Sequence, residues 1–175
     1  MLEIPRIHTP RLILRALRQE DFETYAGMMS DPVVTKYLGD GQPLSRADSW
    51  RQLATFLGHW PLRGFGVWAL EHRETGAFLG RAGCLNPEGW PGFEIGYMLG
   101  RAFWGQGFAT EAVQASLTYA REVCRQDRVI SIIRPANAAS IRVAERLGAK
   151  PDGDVEFFGA RSLIYVYPPP NDSRS

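Results

Sequence analysis

Apolar residues along this chain follow two spacings in turn, and the switches between them mark out its elements. After an extended arm over 1–10 that carries Pro5 and Pro10, Arg11-Leu12-Ile13-Leu14-Arg15 alternates as a short strand. Phe22, Tyr25, Met28 and Met29 fall at helical spacing over 20–29, and Asp31-Pro32 closes that helix. Ser45 caps a second helix over 46–60, with Trp50, Leu53, Phe56 and Leu57 on its buried face and Pro61 and Gly64 at its end. Strands follow over 65–70, 78–85 and 93–99. The first two are joined by a turn at Glu74-Thr75-Gly76, and the loop over 86–92 carries two prolines and two glycines. Next come a helix over 108–123, a strand over 128–133 and a helix over 137–147 that Gly148 stops. A hairpin over 155–158 and 162–167 completes the order β-α-α-β-β-β-α-β-α-β-β. The strand, helix and strand over 93–133 predict one parallel crossover in a mostly antiparallel sheet, a mixed α/β (α+β) class.

Length and composition narrow this to one unit. The 175 residues are 45% apolar and 11% aromatic, which suffices for a single core without disulfide staples. A single domain over 1–167 is expected, with a flexible tail over 168–175 that begins Pro168-Pro169-Pro170. A net charge of +1 supplies no general attraction for nucleic acid. No run reaches the roughly 20 apolar residues of a membrane helix, and the start has no apolar secretory core. The expectation is a cytoplasmic protein with no nucleic-acid partner and no membrane. Cys84 and Cys124 form no CxxC, and His8, His59 and His72 are scattered, so no metal site or Ser-His-Asp triad is expected. Both thiols read as small apolar packing.

The chemistry concentrates between the strand at 93–99 and the helix at 108–123. In Trp104-Gly105-Gln106-Gly107-Phe108-Ala109-Thr110 two glycines and an alanine leave the backbone uncovered. The first amides of the helix have no internal partner, and its dipole adds positive charge, so the loop suits a pyrophosphate. It is not a Walker loop, because no Gly-Lys-Ser/Thr follows. Gly105 and Gly107 fit a dinucleotide fingerprint, but Thr110 replaces its third glycine and Arg134 stands where an acidic residue belongs. A tight turn without ligand fits the same composition. Glu111 suits the helix dipole.

The stretch Trp104-Gly105-Gln106-Gly107-Phe108-Ala109-Thr110-Glu111-Ala112 resembles the acetyl-CoA loop of the GNAT acetyltransferases. Gly107 and Ala109 match the pattern Arg/Gln-x-x-Gly-x-Gly/Ala, and Trp104 replaces its basic or amide residue. That replacement is similar to the RimJ/RimL branch, which acetylates ribosomal-protein N-termini. So are Thr9-Pro10-Arg11-Leu12-Ile13-Leu14-Arg15, Asn137-Ala138-Ala139-Ser140 and Glu145-Arg146-Leu147-Gly148-Ala149. The likeness covers about residues 8–167. It implies a GNAT fold, a twisted sheet with a splayed central strand pair, and acetyl-CoA as co-substrate with no metal. It implies that Tyr97, Met98 and Leu99 bond the pantetheine arm through main-chain groups alone, with Gly96 at a bulge. Residues 105–110 supply amides to the pyrophosphate, beside Trp104. Asn137, Ser140 and Arg142 are further cofactor contacts, and Arg101 is a weaker one. Read from local pattern alone, Asn137 is a helix N-cap, Ser140 a polar first-turn residue, and Arg142 and Arg101 solvated charges.

An amine must be neutral to attack, which is easier for an α-amine (pKa ~7.7–8.0) than for a lysine (~10.4). Glu94 is the candidate base, and Ser140 the candidate donor of a proton to the departing thiolate. Local pattern alone makes Glu94 a solvated or ion-paired edge residue. Trp50, Trp60, Trp90, Phe157 and Phe158 are candidate walls of the acceptor pocket, although the spacing of Trp50 also suits the core. Asp40 and Asp48 lie in the early helical region that often walls such a pocket. The expected function is transfer of acetyl from acetyl-CoA to a primary amine, at a peptide N-terminus or on a small molecule, by direct attack. A homodimer is the default assembly. The alternatives are a non-catalytic acetyl-CoA-binding regulatory module and a nicotinamide-dinucleotide oxidoreductase.

Overall fold

Eight strands form one sheet in the order β1-β2-β3-β4-β5-β6-β8-β7 in the computed structural model, which describes residues 3–169. The strands are β1 (Ile7–His8), β2 (Leu12–Arg15), β3 (Val67–His72), β4 (Phe78–Leu85), β5 (Glu94–Leu99), β6 (Ile130–Ile133), β7 (Lys150–Phe157) and β8 (Ala160–Val166). The helices are α1 (Phe22–Met29), α2 (Pro32–Thr35), α3 (Arg46–Arg63), α4 (Phe108–Glu122) and α5 (Ala138–Arg146). Every expected element is present. The additions are β1, formed by the arm against β2, and α2, which Asp31 caps by accepting the Val33 N–H. Only β5 and β6 run parallel, joined by the crossover through α4. Helices α1 and α3 cover one face of the sheet over Tyr25, Phe56, Ala69 and Met98. Helix α4, with α5 beside it, covers the other over Cys84, Ile95, Val113 and Ala144. No helix among the described residues is long and apolar enough to cross a membrane.

Several expectations are corrected. Helix α3 passes through Pro61 and ends at Gly64, whose left-handed backbone (φ 80°) and N–H to the Trp60 carbonyl (2.7 Å) form the cap. Tertiary contacts carry the helix past the proline. The Trp60 indole donates to the Val67 carbonyl at 3.1 Å, and His59 accepts the Asn86 N–H at Nε2 while its Nδ1 lies 2.7 Å from the Phe65 carbonyl. Trp60 is therefore 1% exposed in the core against Trp68, not at a pocket, while Trp50 is 52% exposed. The first strand of the final hairpin starts at Lys150, five residues early, despite Pro151. It is an edge strand, where a missing N–H costs no ladder bond. Residues 170–175 of the expected tail lie outside the described residues, whereas the Pro168 carbonyl accepts from Arg121 Nη2 at 2.7 Å.

Gly96 is not at a bulge, because β4 and β5 pair without a break from Gly80↔Leu99 to Leu85↔Glu94. The glycines this region needs are on β4. A Cβ on Gly80 would lie 2.0 Å from the Met98 carbonyl oxygen, and one on Gly83 would lie 2.4 Å from that of Gly66. Backbone on the neighbouring strands fills the space, so no side-chain rotation relieves it. Gly80→Ala is expected to cost about 2–3 kcal/mol in urea unfolding or to prevent folding. A loss below about 0.5 kcal/mol, the range of an ordinary surface change, would contradict this packing.

Candidate active site

Strands β5 and β6 pair only at Glu94↔Ile130 and then separate. Just past that pair the Ser131 hydroxyl donates to the Ile95 carbonyl at 2.7 Å, closing the last gap before the strands part. A cavity of about 190 Å³ occupies the opening. Alternation along β5 sends Glu94, Gly96 and Met98 toward α1 and α3, and Ile95, Tyr97 and Leu99 toward α4. Glu94 and Tyr97 therefore approach one cavity from opposite faces of the sheet.

Glu94 is buried, not a solvated edge residue. Its Oε2 accepts the Trp90 indole N–H at 2.6 Å. Burial, the largest influence, pushes its pKa above the ordinary glutamate value, while Trp90, the nearby Ile132 N–H and the Arg81 charge pull it back. This explains Trp90, whose local sequence offers no reason for burial. Its ring also packs on Phe157 (centroids 4.7 Å apart) and Phe158 (5.8 Å) from the β7–β8 hairpin. All three aromatics line the cavity, as expected, with Tyr37, Leu38 and Gly39. Asp40 and Asp48 do not line it: Asp40 accepts from Gln42, and Asp48 pairs with Ser45 and Arg51.

On the opposite side the Ser140 hydroxyl is 2.8 Å from that of Tyr97. Tyr97 therefore contributes its side chain, beyond the main-chain part expected of it. Burial raises the Tyr97 phenol pKa, and the Ser140 bond opposes that. Asn137 is the N-cap of α5, its Oδ1 accepting the Ser140 N–H at 3.3 Å, and among the described residues nothing accepts from its amide N–H groups beside the cavity. The Ile95 carbonyl faces β6 and the Gly100 N–H faces β4, so alternation turns the main chain of Tyr97 to the open edge and that of Met98 to β4. Met98 thus offers no main-chain group to the opening. The Leu99 carbonyl accepts the Trp104 indole N–H at 2.8 Å.

That bond holds the loop before α4 on the end of β5. Gly105 (φ 71°) and Gly107 (φ 83°, the N-cap of α4) take left-handed backbone that other residues adopt at a cost. Among the described residues no acceptor takes the amides of 105–110. Gln106 instead engages its side chain with the Ala102 carbonyl at 2.8 Å. Phe108 is buried under Arg11, whose guanidinium carbon lies 4.3 Å from its ring centre. The opening segment locks this turn. Arg11 donates to the Gln106 carbonyl and to Glu111 Oε2, both at 2.8 Å, and Thr9 donates to Glu111 Oε1 at 2.6 Å. Glu111 is thus a tie between chain ends as well as a dipole partner. Burial pushes its carboxyl up, but those bonds outweigh it and hold the pKa below the usual value. Arg142 is exposed on α5, and Arg101 lies 3.7 Å from Asp31. Arg146, one helical turn beyond Arg142, is the residue that meets Thr110 (3.3 Å). Cys84 and Cys124 are free thiols with raised pKa, that of Cys124 pushed up to about 11 by burial, so neither is a poised nucleophile.

The sequence profile of the acetyltransferase (GNAT) domain matches residues 11–150. The uncharacterized protein YkkB of Bacillus subtilis (strain 168) is 36% identical over 151 residues, 82% of this chain and 84% of that protein. The uncharacterized N-acetyltransferase p20 of Bacillus licheniformis is 32% identical over 167 residues, 92% of each. An acetyltransferase structure from Agrobacterium tumefaciens str. C58 superposes with a TM-score of 0.86 at 31% identity, covering 96% of both chains. The chain belongs to the GNAT acetyltransferase family and is an acyltransferase. Members of this family use acetyl-CoA, which sets aside the oxidoreductase alternative.

The Trp90–Glu94 bond yields a signed expectation. Its N–H favours the carboxylate, so Trp90→Phe raises the Glu94 pKa further. In an NMR titration the Glu94 carboxyl is expected to titrate at higher pH in the variant than in the native protein. A Glu94 titration that stays in place or moves to lower pH would contradict the contact.

Proposed function

We propose that this acyltransferase carries acetyl from acetyl-CoA to a primary amine by direct attack, with Glu94 as base and Ser140, backed by Tyr97, as proton donor. One observation carries the reading: a buried carboxylate and a paired hydroxyl set line one cavity where the sheet opens. The amine nitrogen bonds to the acetyl carbon as the carbon–sulfur bond breaks. Glu94 takes the proton that the amine loses, and its raised pKa brings it closer to an amine's than an ordinary carboxylate's would be. The departing sulfur takes its proton from Ser140, with the Tyr97 hydroxyl 2.8 Å behind it. No cysteine is acylated along the way.

The co-substrate fits the chain's own groups. The unpaired amides of 105–110, ahead of the α4 dipole, suit a diphosphate, and Trp104 fixes the loop that presents them. The open main-chain edge at Tyr97 and the free Asn137 amide suit the amide-bearing arm. Arg142, exposed on α5, and Arg146, beside Thr110, are the candidate cations for its outer phosphate. The opening segment and the α5 motifs support the RimJ/RimL branch, hence an α-amine acceptor that needs little deprotonation near neutral pH. This reading places the protein in the cytoplasm.

Saturating acetyl-CoA is expected to raise the melting temperature of the native protein and of Glu94→Gln alike. In a thiol-release assay over an amine panel, Glu94→Gln is expected to lose about 100-fold or more in kcat/KM, and Ser140→Ala about tenfold. Absence of stabilisation by acetyl-CoA, or native rates in Glu94→Gln, would refute the assignment.

A further inference from the structure

The acceptor side of the cavity holds a buried arginine that no carboxylate among the described residues touches. Arg81, on β4, is 6% exposed and lines the cavity, its guanidinium carbon 4.5 Å from the Phe56 ring centre. It forms no ion pair among the described residues, its buried Nε has no hydrogen-bond partner, and its charge bears on the Tyr25 hydroxyl and, without contact, on Glu94. The same fold treats its other buried arginine differently. Arg15 meets Asp21 at 2.8 Å and Glu71 at 2.5 Å. A buried cation with no anion in contact is unfavourable, and Glu94 feels the Arg81 charge without touching it, so Arg81 is disposed to take an anion from outside. Arg134 lines the same cavity with a second unpartnered nitrogen, Nη1, while its Nη2 donates to the Gly39 carbonyl at 2.6 Å. Against these two cations the lining contains one carboxylate, Glu94.

The relation to Glu94 is set by the sheet. Arg81 pairs with Met98, four residues along β5 from Glu94, so both side chains leave the same face. The offset is about 13 Å of strand, which two long side chains shorten from both ends. Around them Phe56, Trp90, Phe157 and Phe158 limit water and strengthen any charge pairing. Phe158 holds a left-handed backbone (φ 49°) beside Gly159 (φ 72°) at the hairpin tip. A phenylalanine is an expensive choice in such a turn, and here its ring closes on Trp90 and Phe157 over the cavity.

We propose that the acceptor is a primary amine that carries a carboxylate, which Arg81 binds while Glu94 takes the amine's proton. The inference rests on the transfer reaction proposed above and adds its substrate class. The carboxylate belongs either to a free amino acid or to an acidic side chain beside a peptide N-terminus.

The test is acetyl transfer to matched pairs, with rates expressed per neutral amine. One arm sets free amino acids against their carboxamides. The other sets peptides beginning Ser-Glu or Ala-Asp against those beginning Ser-Gln or Ala-Asn. In one arm the carboxylate member is expected to lead by about tenfold or more in kcat/KM, mainly through KM, and that arm identifies the source. In Arg81→Gln the lead falls to within about twofold of unity while acetyl-CoA still stabilises the protein; because the lead is a ratio within each matched pair, any change at Glu94 that slows both members alike cancels from it. Calorimetry needs no variant: in the presence of CoA, N-acetyl amino acids or N-acetyl peptides of the preferred arm bind about tenfold tighter than their amide counterparts. Transfer without preference in either arm, or equal affinities in calorimetry, overturns the carboxylate assignment and leaves the transferase standing. Failure of both acetyl-CoA stabilisation and transfer overturns the transferase reading itself.

Discussion

The separation of β5 from β6 after a single paired residue is the constraint on which the site depends. Two parallel strands that stayed together would bury Tyr97 and Ser131 in a continuous ladder and leave no passage between the sheet's faces. Because they part, the Tyr97 main chain is left without a strand partner, and Ser131 has to satisfy the Ile95 carbonyl by its side chain. Helix α5 stands beside the gap and brings Asn137 and Ser140 to its rim. Unpaired backbone is costly in a protein interior, so the opening persists only where water or a ligand arm completes it. The β4 glycines belong to the same constraint, since Gly80 and Gly83 let the neighbouring backbones close tightly on the far side of β5 and β4.

The cavity separates its chemistry by face. On the α1/α3 side lie the carboxylate, the aromatic rings and Arg81; on the α5 side lie the hydroxyl pair and the free Asn137 amide. The proposed base and proton donor, placed on opposite faces, do not neutralise one another by direct contact. Trp90 holds the Glu94 carboxylate in one orientation, and Tyr97 does the same for the Ser140 hydroxyl. The loop before α4 has its own bracing: Trp104 ties it to β5, while Thr9 and Arg11 tie it through Glu111 to the start of the chain. That bracing keeps the 105–110 amides in place without using any of them.

Much of this was legible in the sequence because it is local. Strand alternation, the Ser45 and Asn137 caps and the bare loop after β5 each depend on neighbours a few residues away. Glu94 was legible as a candidate from its place on the strand that leads to that loop, and Ser140 through the resemblance of the motif that opens α5. What stayed hidden depends on partners distant in the chain. Arg81 reads as a polar interruption in a buried strand until Phe56 and the cavity surround it. Trp90 is four residues from Glu94, yet its loop gives no sign that the indole turns back to the carboxylate. Tyr97 meets Ser140 across 43 residues. Trp50 misled for the opposite reason, since helical spacing marks a face without telling whether another element covers it.

Backbone amide NMR during titration with CoA addresses the central claim most directly. The opened strand edge and the loop before α4 are predicted to respond together, with shifted resonances and slowed hydrogen exchange at Tyr97 and across 105–110. Shifts confined to other elements, with those amides unchanged at saturation, would contradict it.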